Sequence, residues 1–268
     1  IFNSMRFTDQ LTNTLILTSH PKRIISIVPS QTELLHELGL DEEVIGITKY
    51  CVHPKHWLDS KTKVGGTKKL DLKKIQELQP DLIIGNKEEN EKNQILDLMK
   101  LYPVWMSDIK TLEEALSMIE SLGQITGKKT KSTEIQNNIR EQFSHFKLQT
   151  LNTKLLANSA LYLIWRKPYI CAGSDTFIDH LLHICGVTNV FSSRARYPEV
   201  SFEEIQKANP SFIFLSSEPY PFREKHIQEL KNICPNAKVV LVDGEMFSWY
   251  GSRLLYAPSY FERLLKNL

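Results

Sequence analysis

No apolar stretch in this sequence approaches the ~20 residues needed to cross a bilayer. The longest, from Leu155 to Trp165, is broken by Asn158 and Ser159, so membrane insertion is not expected. An excess of one charge is also missing. Lys plus Arg number 33 against 31 Asp plus Glu, with the signs intermixed along the chain, which removes the basic stripe of a nucleic-acid partner. Cysteines are few, and Cys51, Cys171, Cys185 and Cys234 lie far apart without a CxxC pair, which excludes a closed zinc site and a disulfide scaffold. Buried thiols are expected, with one disulfide left open for an exported protein. The phosphate loop GxxxxGK[ST], a GxGxxG after a strand, GxSxG and HExxH are all absent. The two glycines of VGGTKK (residues 64–69) lack the helix-opening context of a phosphate loop and read as a turn.

What is present is a soluble globular composition, 41% hydrophobic and 24% charged, on a chain of 268 residues, long enough for two domains. RIISIV (residues 23–28) is a β-branched run ended by Pro29-Ser30, after which a helix runs from Gln31 to Leu38 and stops at Gly39. The same alternation recurs with strands at 44–48, 82–85, 104–106, 160–164, 212–215 and 239–242. Short apolar strands alternating with amphipathic helices predict parallel sheets covered on both faces.

LDLKKIQELQPDLIIGNKE, from Leu70, aligns without gaps to VSFEEIQKANPSFIFLSSE, from Val200, at an offset of 130 residues. Ile75, Gln76, Pro80 and Glu88 match Ile205, Gln206, Pro210 and Glu218, which predicts two similar α/β lobes. Between them, Ile135, Ile139, Phe143 and Phe146 fall on one face of an uninterrupted helix. The expected organisation is an amino-terminal lobe over 1–127, a connecting helix over 128–149 acting as a strut about 30 Å long, and a carboxyl-terminal lobe over 150–268.

Ligands of open parallel sheets bind beyond the carboxyl ends of the strands. Here those segments concentrate Trp165, Tyr169, Tyr220, Phe247, Trp249 and Tyr250 beside Arg166, Lys167 and Arg253, the make-up of a cleft that stacks on a flat ligand and grips its polar edges. The competing reading for each aromatic is a core cap. Glu88, Glu89, Glu218 and Glu245 also fall at strand ends and fit an ion-pair network with Lys49, Lys87, Arg166 and Arg253 better than acid–base catalysis, since no nucleophile or oxyanion site accompanies them. His53 with His56, and His180 with His183, stand three apart. Solvated histidines fit the second pair, and His53 is a candidate ligand contact. No metal ligands are assigned.

RIISIVPSQTELLHELGL, VIGITKYCVHP, VGGTKKLDLKKIQELQPDLIIGNKEEN and CAGSDTFIDHLLHICGVTNVFSSRARYPEVSFEEI together resemble the helical-backbone class of ABC-transporter solute-binding proteins. That resemblance, over nearly the whole chain from Lys22, implies two Rossmann-like lobes joined by one long helix, with vitamin B12, a ferric siderophore or haem held between them. It implies ligand contacts at Ser30, Tyr50, Tyr169, Tyr197 and the segment Phe247 to Arg253, with Tyr50 the candidate ligand for a haem. A tryptophan that packs on the corrin in the B12 binder is replaced near Thr67-Lys68, and another by Tyr197. Relatives dock to the permease through one glutamate per lobe, at positions resembling Lys73 and Glu203, so the lysine breaks the pair.

The combined expectation is a monomeric capture protein without catalytic residues or a catalytic cofactor. Ser30, Tyr50, Trp165, Tyr169, Tyr197, Phe247 and Trp249 would line the ligand, and Lys49, Arg166, Arg196 and Arg253 would meet its anionic groups. The bound ligand would be cobalamin or an iron chelate, and the partner an ABC permease engaged through Glu203. The resemblance implies a periplasmic or extracytoplasmic location. A cytoplasmic one, with Met5 as initiator, also fits a sequence that shows no export signal. The rivals are a cation-dependent enzyme using the strand-end glutamates, and a protein-interaction module, which would expose a large apolar patch.

Overall fold

β-Branched residues ahead of a proline make a short strand that must stop, and the computed structural model, which describes residues 4–150 and 158–268, shows this at the first parallel strand. The apolar run that begins at Leu155 lies partly outside the described residues. An antiparallel hairpin, β1 (Met5–Thr8) and β2 (Thr14–Leu17), occupies the start of the chain, where sequence reasoning saw only a polar lead-in. Then follow β3 (Ile24–Ser26), α1 (Pro29–Glu37), β4 (Val44–Ile47), α2 (Lys55–Ser60), β5 (Thr62–Lys63), α3 (Leu72–Leu78), β6 (Leu82–Asn86), α4 (Lys92–Met99), β7 (Val104–Ser107), α5 (Leu112–Ile125) and α6 (Lys129–Thr150). The second half carries β8 (Ser159–Trp165), β9 (Tyr169–Cys171), α7 (Phe177–Ile184), β10 (Thr188–Asn189), β11 (Glu199–Val200), α8 (Phe202–Ala208), β12 (Phe212–Ser216), α9 (Glu224–Ile233), β13 (Lys238–Val242), α10 (Gly244–Ser248) and α11 (Ala257–Lys266).

The chain packs as two compact units that are not contiguous in sequence: Ile1–Asp108 with Glu113–Asn138 and Tyr250–Arg253, and Ile109–Leu112 with Ile139–Trp249 and Leu254–Leu268. The first holds a five-stranded sheet of order β5-β4-β3-β6-β7, parallel throughout. β3, β6 and β7 are buried on both faces, which is why they read as continuous apolar runs. In the second unit β10, β8, β12 and β13 run parallel, but β9 folds back antiparallel on β8 and β11 pairs antiparallel with β9. The parallel frame is the expected one, and the hairpin is an addition that the alternation of strands and helices does not reveal.

The internal repeat is structural. α3 and α8, and β6 and β12, stand at the same offset of 130 residues, residue for residue. Asp71 caps α3 by accepting from the Lys74 N–H, and Ser201 caps α8 by accepting from the Glu204 N–H. Both helices end on a left-handed residue, Gln79 at φ 44° and Asn209 at φ 41°, each followed by a proline.

α6 is a 22-residue helix, about 33 Å long at the usual rise. Ile135, Ile139, Phe143 and Phe146 are all buried, as their spacing predicts. Its first turns pack tightly on α5. A Cβ on Gly123 would lie 2.0 Å from Ser132 Oγ, so only glycine fits that crossing.

Candidate functional site

In the first unit the segments beyond the carboxyl ends of the strands are braced from beneath by buried polar side chains. Thr32, in α1, donates to Ser26 Oγ at 2.7 Å and lies 3.0 Å from the Cys51 sulfur, which Thr48 approaches at 3.2 Å. Gln31 and Asn86 both reach Ser107 Oγ, at 2.5 and 2.9 Å, and Asn90 Oδ1 accepts from the Asn86 N–H at 2.8 Å. These bonds tie the ends of β3, β6 and β7 to one another and fix the backbone on which the exposed residues stand.

On that support, Lys49 and Tyr50 follow β4. The Lys49 N–H donates to Gly65 O at 2.9 Å, and its ammonium sits 5.1 Å from the Tyr50 ring centroid. The ring is 53% exposed. VGGTKK forms the turn expected of it. Gly65 has φ +99°, and Gly66 and Lys69 exchange backbone bonds. A Cβ on Gly66 would meet Tyr50 Cε2 at 3.0 Å, so this turn shapes the space beside the tyrosine. Ser30 is buried in the first turn of α1, and Arg253 forks onto Glu33 of the same helix at 2.6 and 3.1 Å.

In the second unit Trp165 lies at the end of β8, 40% exposed, with its ring edge-on to Tyr220 at 5.7 Å. Arg196 and Tyr197 lie in the segment between β10 and β11, the guanidinium 5.9 Å from the Tyr197 ring and donating to Asp175 O at 2.9 Å. The other expected contacts point inward. Phe247, 1% exposed, packs against Phe261 at 4.7 Å and Tyr162 at 5.1 Å and is a core residue. Trp249 is buried, with its indole N–H donating to Glu218 Oε1 at 2.7 Å. Tyr169 is buried and donates to Glu229 at 2.7 Å, while Arg166 forks onto the same carboxylate at 2.7 and 3.1 Å. Burial pushes the Glu229 carboxyl upward, but the guanidinium and the phenol outweigh it and hold the group below the usual carboxylate range.

Arg166 and Arg253 pair with helix residues Glu229 and Glu33, and Lys87 pairs with Asp108 at 2.6 Å. Glu218 accepts from Trp249 and, at 3.0 Å, from Ser248. Glu203 is exposed in the first turn of α8, and Lys73 occupies the matching place on α3. All four cysteines are free and buried, as expected of core thiols. Sequence reasoning missed the buried polar bracing, because Gln31 and Ser107 lie 76 residues apart and only the fold brings them together. The spacing of His53 and His56 did not reveal that His56 gathers with His36 and Asp41.

The sequence profile of the periplasmic binding protein family matches residues 24–233, well over half the chain. The vitamin B12-binding protein of Vibrio cholerae serotype O1 is 28% identical over 212 residues, which is 77% of this chain and 75% of the relative. Among solved structures, a periplasmic haem-binding protein in complex with two haems superimposes with TM-score 0.80 at 19% identity, over 92% of this chain and 98% of its own. A siderophore-binding protein bound to two acinetobactin molecules and ferric iron gives 0.79 at 17%, over 97% and 98%. These two structures speak for the fold: two α/β lobes with parallel sheets and a long helix.

Proposed function

The chain belongs to the periplasmic binding protein family, and from that premise we propose that it captures a metal chelate, cobalamin or a ferric siderophore, for an ABC-type uptake system and catalyses no reaction. The observation that carries this reading is the pair of exposed aromatic rings at strand ends, Tyr50 after β4 and Trp165 at the end of β8, each set beside a second polar or aromatic group. Exposed rings held on braced backbone give a stacking surface whose ordering cost is met before the ligand arrives. Tyr50 and Lys49 on the first unit, and Trp165, Arg196 and Tyr197 on the second, are the proposed contacts, while Ser30, buried in α1, belongs with the supports. Tyr169, Phe247, Trp249, Arg166 and Arg253 act behind them as supports. The strand-end Glu218 has a structural use in holding Trp249 and Ser248, which favours capture over a glutamate-based enzyme.

Members of this family work outside the cytoplasmic membrane, and the proposed partner is an ABC permease, met by Glu203 on α8 of a monomeric protein with no role for nucleic acid. No described helix is long and apolar enough to cross a membrane. A second reading, haem as the ligand with the Tyr50 phenolate on iron, draws support from the exposure of that phenol.

Tryptophan fluorescence titrated with cyanocobalamin, haemin and ferric siderophores tests the proposal. Saturable quenching by one of them is expected, weakened at least tenfold by Tyr50→Ala or Trp165→Ala. Absence of quenching with all three classes would overturn it. Haem bound by wild type but not by Tyr50→Phe would select the second reading.

A further inference from the structure

Two imidazoles and a carboxylate meet on the first unit, away from the strand ends already described. His36 lies in the last turn of α1, Asp41 in the connection to β4, and His56 in α2. One ligating atom from each falls within 4.8 Å of the other two, and His56 Nε2 is already 3.6 Å from Asp41 Oδ1. A tetrahedral ion with bonds of about 2.0–2.1 Å needs its ligands roughly 3.3 Å apart. The remaining gap is at most about 1.5 Å. His56 and Asp41 side chains are 63% and 51% exposed and can close it by small rotations.

The carboxylate is aimed. The indole N–H of Trp57, a fully buried residue, donates to Asp41 Oδ1 at 2.9 Å, and the His36 ring stands edge-on to Trp57 at 5.4 Å and to His56 at 5.2 Å. A ligand carboxylate oriented by a rigid donor behind it is the arrangement that outer groups supply at metal sites. Around the cluster, Glu37 Oε1 lies 3.8 Å from His36 Nδ1, adding negative charge. Lys61 directs its ammonium to the Asp41 backbone carbonyl and over the Trp57 ring, 5.2 Å from its centroid, leaving the carboxylate to other partners.

We propose that His36, Asp41 and His56 form a binding site for one borderline divalent ion of the first transition row, with zinc the best fit. Two nitrogen donors and one oxygen suit zinc, cobalt or copper, whereas magnesium and calcium require oxygen sets. Three protein ligands leave a fourth position for water. The site stands at the opposite end of α1 from Ser30, about 9 Å along the helix axis, and clips α1, the turn before β4 and α2 together. It does not depend on which cargo the protein carries.

The test is titration of the tag-free chain with cobalt(II), followed by zinc(II) displacement, in wild type, His56→Gln, His36→Gln and the double variant. Wild type is expected to develop a visible d–d absorption band with one equivalent of cobalt, bleached by zinc and unmoved by millimolar magnesium. Each single variant should bind at least tenfold more weakly, and the double variant should lose one equivalent. Because His56 is exposed, His56→Gln should unfold at the same urea midpoint as the wild-type apoprotein. Equal stoichiometry and affinity in wild type and the double variant, or competition by magnesium, would overturn the proposal.

Discussion

The duplicated helix–proline–strand unit allows one physical cost to be measured twice in the same molecule. Gln79 and Asn209 close α3 and α8 in the left-handed conformation, at φ 44° and 41°, both exposed and both ahead of a proline. For an ordinary side chain this conformation costs roughly 1–2 kcal/mol, while asparagine visits it routinely. Glycine removes that cost but adds about 0.5–1 kcal/mol of chain entropy to be lost on folding. Gln79→Gly should therefore stabilise by about 0.5–1 kcal/mol, and Asn209→Gly should lie close to zero. The proline that follows acts on both sites and drops out of the comparison. With a urea slope of about 2 kcal/mol/M, the Gln79 variant should shift the midpoint upward by roughly 0.3–0.5 M. Tryptophans report each unit separately, Trp57 and Trp105 on the first and Trp165 and Trp249 on the second, which matters because two units need not unfold together. Asn209→Gly stabilising as much as Gln79→Gly, or Gln79→Gly lowering the midpoint, would refute the reasoning.

The buried thiols should resist modification. Burial pushes Cys171 up to about 12 and raises Cys51, Cys185 and Cys234 as well, so Ellman's reagent at pH 8 should find no fast thiol in the native protein and four after denaturation. Glu229 predicts a pH effect. A carboxyl depressed by Arg166 and Tyr169 contributes stability that is complete above the ordinary glutamate pKa of about 4.3 and lost as pH falls through its lower folded value. The gap in urea midpoint between wild type and Glu229→Gln should be flat above about pH 5 and shrink below that pKa, whereas a gap unchanged to pH 3 would exclude the linkage. Phe247→Ala should cost about 3–5 kcal/mol by calorimetry as a core truncation, while Trp165→Ala should leave the unfolding temperature nearly unchanged. The reverse order would show that the buried and exposed aromatics have been misassigned.

The frame was legible where a local pattern decides the structure. β4, β6, β7, β12 and β13 fall within a residue or two of the expected runs, and β6, β7 and β12, buried along their whole length, show why: strands covered on both faces must be continuously apolar. α6 was legible from the spacing of Ile135, Ile139, Phe143 and Phe146. The opening hairpin was not. Its strands alternate exposed and covered residues over only four positions each, and its turn depends on Asp9, whose carboxylate accepts from the Leu11 and Asn13 N–H groups at 2.9 and 2.7 Å and from Met106, 97 residues away, at 3.2 Å. The His36, Asp41 and His56 cluster escaped for a related reason. Helical spacing pairs histidines three or four apart, whereas this group closes through a turn and a second helix.

The arginines show why site composition is harder to read than site position. Arg166 and Arg253 were expected to face a ligand because they end apolar runs next to aromatics, yet each is forked by a carboxylate of its own unit, 63 and 220 residues distant in the chain. Charge-assisted bidentate bonds in half-buried surroundings are short and strong, and an incoming anion would have to replace two of them at once and leave a carboxylate behind. Of the four cations proposed to meet the ligand, Arg166 and Arg253 are thus committed to holding α9 and α1, and Arg196 donates to a backbone carbonyl. Lys49 lies over the face of Tyr50, and of the four it is the cation that the proposed function would use first. On the proposed function, recognition would rest on ring stacking and fit more than on charge. An aromatic and cationic composition at strand ends can be read from a local window, but the carboxylates that engage Arg166 and Arg253 lie 63 and 220 residues away and cannot, so which charges are paired is decided by the fold.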